Sequence, residues 1–505
     1  MSQLQLQRRR FLAALTSLGA SACASALPIG FACAAESKDA WMSDFDLALR
    51  QNDWTLGFRT PIHNLSGRAT VSGAFPAAVT GSLYRNGPAG HDLGGVRYHH
   101  WFDGDGMIQK FDISASSVTH TGKFVGTDKR VEETAAGKRL VEAFGTKLPD
   151  LVPISSPDSL NAANTSVLML NDELLALWEG GSAVALDPRT LNTRGFKTWR
   201  ADLKGLPFSA HPRVERDGTV WNFGVGAGQN LLILYKIGSN GILQHAEALP
   251  VPDVPMIHDF AITERHLVFL MPPLVMDRSR IEQNSFLDAH VWRPDLGMRV
   301  LVIDKDDFSQ RKQFELPAAF LFHIGNAWED GQGHIRLEYV HSDQPDFLFE
   351  SARDVMRGHY TPTPAPRLAA VALDMNTGRA TQEVLADQAE FPRIDPRLAG
   401  LRHRNLIHTT TQLAGRPLFS AIAITNVDTG ASQRYDYGAS RLVEEHVFVP
   451  DRDGTGWLLG TSLDCKTART YLSCFSAGRI ADGPVAVAEL PYALPLGFHG
   501  FFQKA

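Results

Sequence analysis

The 505-residue chain has only four cysteines, and two of them, Cys23 and Cys33, fall near its N-terminus. The remaining pair, Cys465 and Cys474, is too small a set for an all-cysteine zinc site or an iron–sulfur cluster. The two flank an expected hairpin, and a disulfide between them depends on the turn register. The chain also lacks a broad basic stripe, and its net charge is -6, which argues against nucleic acid as a partner. No Gly-rich nucleotide fingerprint follows a strand, no βαβ alternation appears, and no Gly-x-Ser-x-Gly elbow marks a serine hydrolase. Asp103-Gly-Asp-Gly106 falls short of a calcium loop, because Ser114 stands where the twelfth-position acid belongs. No clean internal repeat emerges, so structural units cannot be counted from periodicity.

Long apolar runs are equally scarce. The longest, from Leu12 to Ala34, contains glycine, serine and Pro28, which makes it a poor membrane span. It follows Arg8-Arg9-Arg10-Phe11-Leu12, which resembles a twin-arginine export motif, and it ends in the small-residue sequence Ala32-Cys33-Ala34. The expectation is a signal peptide over residues 1–35, a mature single domain over 36–505, and a periplasmic location. That export route carries folded proteins, so a metal would be loaded before export.

What the chain has in abundance is short β-type runs. Examples are Ser182–Leu186, Thr219–Phe223, Leu231–Tyr235, His266–Leu270, Val300–Asp304 and Trp457–Gly460, punctuated by Gly, Asn, Asp and Pro. With 44% hydrophobic residues to fill a core, this pattern predicts an all-β sandwich, barrel or propeller. Helical patterns are few: one near Met42–Gln51, and one over Lys129–Phe144 that reads as exposed.

Four histidines stand in distinctive surroundings far apart in sequence: His211 in Ala-His-Pro-Arg, His258 in Ile-His-Asp-Phe, His323 in Phe-His-Ile-Gly-Asn, and His499 in Gly-Phe-His-Gly. Imidazole suits iron, copper, zinc and nickel. Four neutral imidazoles would leave the metal's charge unneutralised and able to polarise a ligand. The other histidines, His290 and His341 among them, read as surface or locally hydrogen-bonded.

These segments resemble the carotenoid cleavage oxygenases, the family of apocarotenoid and stilbene dioxygenases and of the retinoid isomerase of the visual cycle. The landmarks run in family order from about Asn52. They are Gly81-Ser-Leu-Tyr-Arg-Asn-Gly-Pro88, His100-Trp-Phe-Asp-Gly-Asp-Gly-Met107, Asn164-Thr165, Leu177-Trp-Glu-Gly180, Glu390-Phe-Pro392, Glu445-His-Val-Phe-Val-Pro450 and Phe498-His-Gly500. The resemblance implies a seven-bladed β-propeller with a helical cap and one Fe(II) on the axis, held by His211, His258, His323 and His499. It assigns Glu179, Glu390 and Glu445 as carboxylates behind three of those histidines, leaving the fourth without one. His446 stands where a proline is usual. Thr165 maps to the residue that crowds one open coordination position. Trp178 would line an apolar tunnel, with Phe322, Phe320 and Phe498 as neighbours that serve equally well as core. The apolar Met271–Met276 stretch is a candidate tunnel mouth and peripheral membrane contact.

The implied activity is cleavage of a carbon–carbon double bond in an apolar conjugated carotenoid or apocarotenoid by O2, giving two carbonyl products. Tyr98 and Lys129 are placed like the pair that holds the phenol oxygen in stilbene-cleaving relatives. A 4-hydroxystilbene is therefore the alternative substrate. A non-catalytic binding propeller is the alternative of another class.

Overall fold

The computed structural model describes residues 38–452 and 454–505. The expected signal peptide and its cleavage site lie outside them. The described chain is built almost wholly from antiparallel meanders. Successive strands pair as Ser166–Leu170, Glu173–Leu177, Val184–Leu186 and Thr193–Phe196; then as Arg213–Val214, Val220–Gly226, Leu231–Ile237 and Leu243–Pro250. The next sheet holds Ala261–Ile262, His266–Met271, Met298–Asp304 and Arg311–Leu316, and the one after it Ile324–Glu329, His334–His341, Arg367–Asp374 and Ala380–Ala386. A larger sheet takes the strands from Glu390 to Glu489, and a five-stranded sheet contains Gly81–Gly90, Asp105–Ile113 and Val118–Phe124. Each of the expected β runs overlaps an observed strand.

These runs are continuously apolar because both faces of each sheet are covered. Side chains on a strand alternate between faces. In His266–Met271, Leu267, Phe269 and Met271 pack with Phe223, Leu232 and Leu234 of the preceding sheet. Val268 and Leu270 pack with Ile335, Leu337 and Val371 of the following one. The same relation links each sheet to its neighbour, and Leu83 and Phe111 of the first sheet meet Leu459 and Leu472 of the last. Both chain ends reinforce this return. Thr70–Gly73 adds to the edge strand Ala486–Glu489, while Gly500–Lys504 pairs with Gly81–Gly90 in the register Gly81↔Lys504.

Helix is confined to short segments. Ala40–Ala48 is capped by Asp39, whose carboxylate accepts from the Met42 amide at 2.7 Å. The second expected helix is shorter and less exposed than its pattern suggests. It spans Asp128–Ala136, starts at the Thr127 cap and stops at Gly137, which takes φ 66°. Lys129 and Glu133, four residues apart and so on one face, are both buried.

Packing bears on two further expectations. Cys465 lies in the core with Phe45 and Trp54, whereas Cys474 sits opposite Leu459 in a different core region. Both are free thiols, pushed up by burial to about 11 and about 12. In the Met271–Met276 stretch, Met271 belongs to a central strand and is buried, Leu274 packs on Phe320, and the partly buried Met276 lines the large cavity, in keeping with a place at its mouth. Among the described residues no helix is long and apolar enough to cross a membrane.

Two buried histidines away from the metal-type cluster set an acid limit. His100 bonds the Leu348 carbonyl at 2.9 Å, and His120 bonds both Tyr492 and Gln109 at 2.9 Å. Burial lowers each from 6.5 to about 3. Each therefore contributes stability that is present above pH 6.5 and is lost as the pH falls towards 3, because the unfolded chain takes up the proton first. At pH 5.5 the loss is about 1.4 kcal/mol per histidine by this linkage. Urea midpoints at pH 7.5 and 5.5 should show it, with a smaller drop in His120→Gln. Equal midpoints at both pH values would contradict the assignment.

Candidate metal centre and its cavity

His323 and His499 stand directly before the first residue of a strand, Ile324–Glu329 and Gly500–Lys504 respectively, while His211 and His258 lie two and three residues ahead of Arg213–Val214 and Ala261–Ile262. Four sheets thus deliver an imidazole from equivalent places. One ring nitrogen from each of the four lies within 4.8 Å of the other three. His211 Nε2 lies 2.9 Å from His258 Nε2, and His323 Nε2 lies 3.1 Å from His499 Nε2.

The residues next to these histidines hold them in register. Arg213 clamps both carboxylate oxygens of Asp259 at 2.8 Å, and Asp259 also accepts from the Ile324 amide at 2.8 Å. A single ion pair thereby ties the chain beside His211, His258 and His323 together. Sequence reasoning passed over Arg213 and Asp259, although both lie within the quoted histidine motifs.

Behind the rings stand the three glutamates. His323 Nδ1 lies 2.6 Å from Glu390, His499 Nδ1 lies 2.8 Å from Glu445, and His258 Nδ1 abuts Glu179. His211 has no carboxylate partner among the described residues, as the family pattern implies. Strand irregularities aim these groups. The pairing register shifts between Glu390 and Arg393 and again between Val443 and His446, and such bulges redirect side chains beside functional sites. Phe391 takes φ 53°, and its ring stacks on His323 at 5.5 Å. His446, in place of the usual proline, lies over Gly460, where any Cβ would strike its ring, and it bonds Tyr437 at 2.8 Å.

Charge sorts these groups. Burial, which would raise the Glu445 carboxyl, is outweighed by Arg393, whose guanidinium grips it at 2.7 and 2.9 Å and holds it well below the carboxylate range. Arg393, three residues beyond Glu390, is a supporting residue the sequence reading missed. Burial also opposes ionisation of Glu390, and His323 overcomes it and lowers the group. Burial lowers His499 to about 4 despite Glu445, and burial with three facing imidazoles takes His211 far below its ordinary value. His258 is the exception: burial pulls it down, but Glu179 pulls harder and the net shift is upward.

The donor chemistry fits a cation. A carboxylate only accepts, so His323 and His499 donate from Nδ1 and keep a lone pair on Nε2. Those two Nε2 atoms then face each other as acceptors with no proton between them. Only a positive charge at the shared point makes such a convergence favourable. Among the described residues no other group of three or more His, Cys, Asp or Glu is gathered in this way.

His258, His323 and His499 open onto a cavity of about 730 Å³. Thr165, Trp178, Phe322, Phe320 and Phe498 line it. Thr165 is oriented by its hydroxyl on Asn164 at 3.1 Å. Trp101, Phe102, Phe144 and Phe347 also line it, the first two from the His100–Met107 landmark. Rings run in contact from the histidine cluster outward, His258 to Phe322 at 5.3 Å, Phe322 to Phe102 at 5.7 Å and Phe102 to Phe144 at 6.3 Å.

Tyr98 and Lys129 do not line this cavity, which corrects the expectation of a phenol-holding pair. Both are buried in an ion network: Lys129 reaches Tyr98 at 2.5 Å and Asp105 at 2.8 Å, and Arg139 reaches Glu133 at 2.9 Å. Asp105 comes from the stretch that mimicked a calcium loop. Its charge, Glu133 and two basic groups saturate the pair.

His258→Ala and His323→Ala should each abolish metal retention, measured as metal per chain after dialysis. Glu390→Ala should weaken metal affinity by roughly 10–100-fold, the usual effect of losing an outer carboxylate. Wild-type metal content in either histidine variant would rule out the assigned ligands.

Comparison with known proteins agrees with this geometry. The profile of the retinal pigment epithelial membrane protein family matches residues 60–504. Carotenoid cleavage oxygenase 1 of Neurospora crassa is 29% identical over 89% of this chain and 90% of its own. Resveratrol cleavage oxygenase 1 of Aspergillus fumigatus is 28% identical over 85% of this chain and 91% of its own. The crystal structure of cobalt-substituted Synechocystis apocarotenoid oxygenase superposes with a TM-score of 0.81 at 26% identity, covering 90% of this chain and 98% of that one. The all-β chain with its four-histidine centre therefore belongs to the retinal pigment epithelial membrane protein family, that of the carotenoid cleavage oxygenases, and is an oxygenase.

Proposed function

We propose that this enzyme cleaves one carbon–carbon double bond of an apolar conjugated substrate of the carotenoid or apocarotenoid class with O2, both oxygen atoms ending in the two carbonyl products. The observation that carries the reading is the aromatic cavity opening onto three of the four clustered histidines. A pocket walled by Trp178, Phe322, Phe102 and Phe498 suits an extended π-system better than a polar one. Under this reading the sheets form a seven-bladed propeller, supported by their sequential packing and the return of the last onto the first.

The metal in this proposal is Fe(II), which when bound supplies O2 activation that zinc does not offer. The chain's own residues do the rest. Burial and the Nδ1 bonds to Glu179, Glu390 and Glu445 present lone pairs on Nε2. Phe322 and Phe498 exclude water and hold the polyene in place, so that position along the cavity selects the bond to be cut. Thr165 narrows the space beside the histidines. Export to the periplasm by the twin-arginine route is part of the proposal and rests on Arg8–Leu12 and Ala32–Ala34.

A phenolic stilbene is the second reading, favoured by the resveratrol-cleaving relative at 28% identity. The engagement of Tyr98 and Lys129 elsewhere weighs against that pair serving it. The deciding experiment is product mass after incubating the iron-loaded chain from Glu36 onward, in air, with a long carotenoid, an apocarotenal and 4-hydroxystilbene. Two shorter carbonyl products from a polyene are expected. Aromatic aldehydes from the stilbene alone would reject the polyene in favour of the phenol, and no product from any substrate would reject both.

A further inference from the structure

Two histidines outside the metal cluster, His290 and His341, line the cavity. They differ in one respect. His341 spends both ring nitrogens, Nδ1 on the Tyr339 hydroxyl at 2.8 Å and Nε2 on Asp343 at 2.9 Å. His290 is buried, with 4% of its surface accessible, yet it spends only Nδ1, on the Phe286 carbonyl at 2.9 Å. A carbonyl can only accept, so Nδ1 carries the proton and Nε2 keeps a lone pair. No described residue bonds that Nε2. Burial lowers the imidazole below its ordinary value, which keeps it neutral. That Nε2 is not sealed off in the core: the ring lines the cavity, and the nitrogen is left free to accept there.

The wall that carries His290 is rigid. The Ser285 hydroxyl bonds Asp288 at 2.7 Å, and Arg353 bonds the other oxygen of Asp288 at 2.8 Å. The His290 amide bonds the Leu287 carbonyl at 2.9 Å, while the Leu287 amide bonds Phe144 at 2.8 Å. The Phe286 ring meets His290 edge-on at 4.8 Å and Phe144 at 6.0 Å. The aromatic path that starts at His258 therefore ends on an imidazole whose only open function is acceptance of a hydrogen bond.

We propose that His290 is a specificity-determining residue whose Nε2 accepts a hydrogen bond from a substrate hydroxyl, so that the preferred substrate is a conjugated chain bearing an alcohol or phenol remote from the bond that is cut. The inference rests on the functional reading above. An ether, a ketone or a bare hydrocarbon at that end brings no donor and leaves Nε2 unpaired. The hydroxyl can belong to a ring alcohol of an apocarotenoid or to the phenol of a stilbene.

The test uses the iron-loaded enzyme and two matched pairs: an apocarotenal with and without a ring hydroxyl, and 4-hydroxystilbene with 4-methoxystilbene. In the unsubstituted enzyme, the hydroxylated member of the pair that is cleaved should have a KM lower by about ten-fold at similar kcat, the factor one net hydrogen bond supplies. His290→Phe should raise that KM to the level of the partner lacking the donor and leave the partner's own KM unchanged. His290→Gln, which keeps an acceptor, should restore part of the preference. Equal KM values within the cleaved pair, or a preference that survives in folded His290→Phe, would overturn the inference while the functional reading stands. Failure to cleave either pair would overturn the functional reading and this inference with it. The pair that responds identifies the source of the hydroxyl.

Discussion

Four lone pairs aimed at one point are the constraint on which this structure turns. Once Glu390 and Glu445 accept hydrogen bonds from the Nδ1–H groups of His323 and His499, the Nε2 atoms of those rings can only repel each other unless a cation stands between them. Everything around the cluster keeps that unfavourable arrangement in place. Arg213, Asp259 and the Ile324 amide lock three of the chain segments, and Arg393 keeps Glu445 ionised at a depth where a lone carboxylate would take up a proton. The centre is held by charge pairs outside the ligand shell as much as by the ligands.

The same arrangement separates two electrostatic regimes. On one side of the rings lie buried ion pairs with every charge answered. On the other lies a cavity whose surface is mainly apolar and rich in aromatic rings, with polar side chains such as His290, His341 and Gln412 set among them. Water expelled from that cavity leaves the reacting bond beside a strong field and away from competing nucleophiles. Tyr98 and Lys129 belong to the first regime. Their side chains point into a network with Asp105, Glu133 and Arg139, so they brace the helix Asp128–Ala136 against the sheet instead of meeting a ligand.

Much of this was legible in the sequence. The four clustered histidines and the three glutamates stand in short motifs with their own signatures, and burial of Leu267 through Met271 on both faces of their sheet follows from an unbroken apolar run. What escaped notice was set by partners far away in the chain. Nothing local to Lys129 says that Asp105, 24 residues earlier, will claim its charge. Nothing around His290 distinguishes it from a surface histidine, because its meaning comes from a nitrogen left over after Phe286 has taken the other. The shortened helix had a local cause that was available, since Gly137 sits where a left-handed cap ends a helix.

The closing strand has a consequence for folding. Gly500–Lys504 seals the first sheet, and the residue immediately before it, His499, is one of the four clustered histidines. The four-histidine cluster therefore cannot be complete until Gly500–Lys504 has returned to pair with Gly81–Gly90, a strand distant in sequence. Such contacts between distant parts of a chain form slowly, since loop closure must precede any gain from pairing. Metal capture by the cluster would reward that pairing, because the strand that closes the seam and a histidine of the cluster form together or not at all.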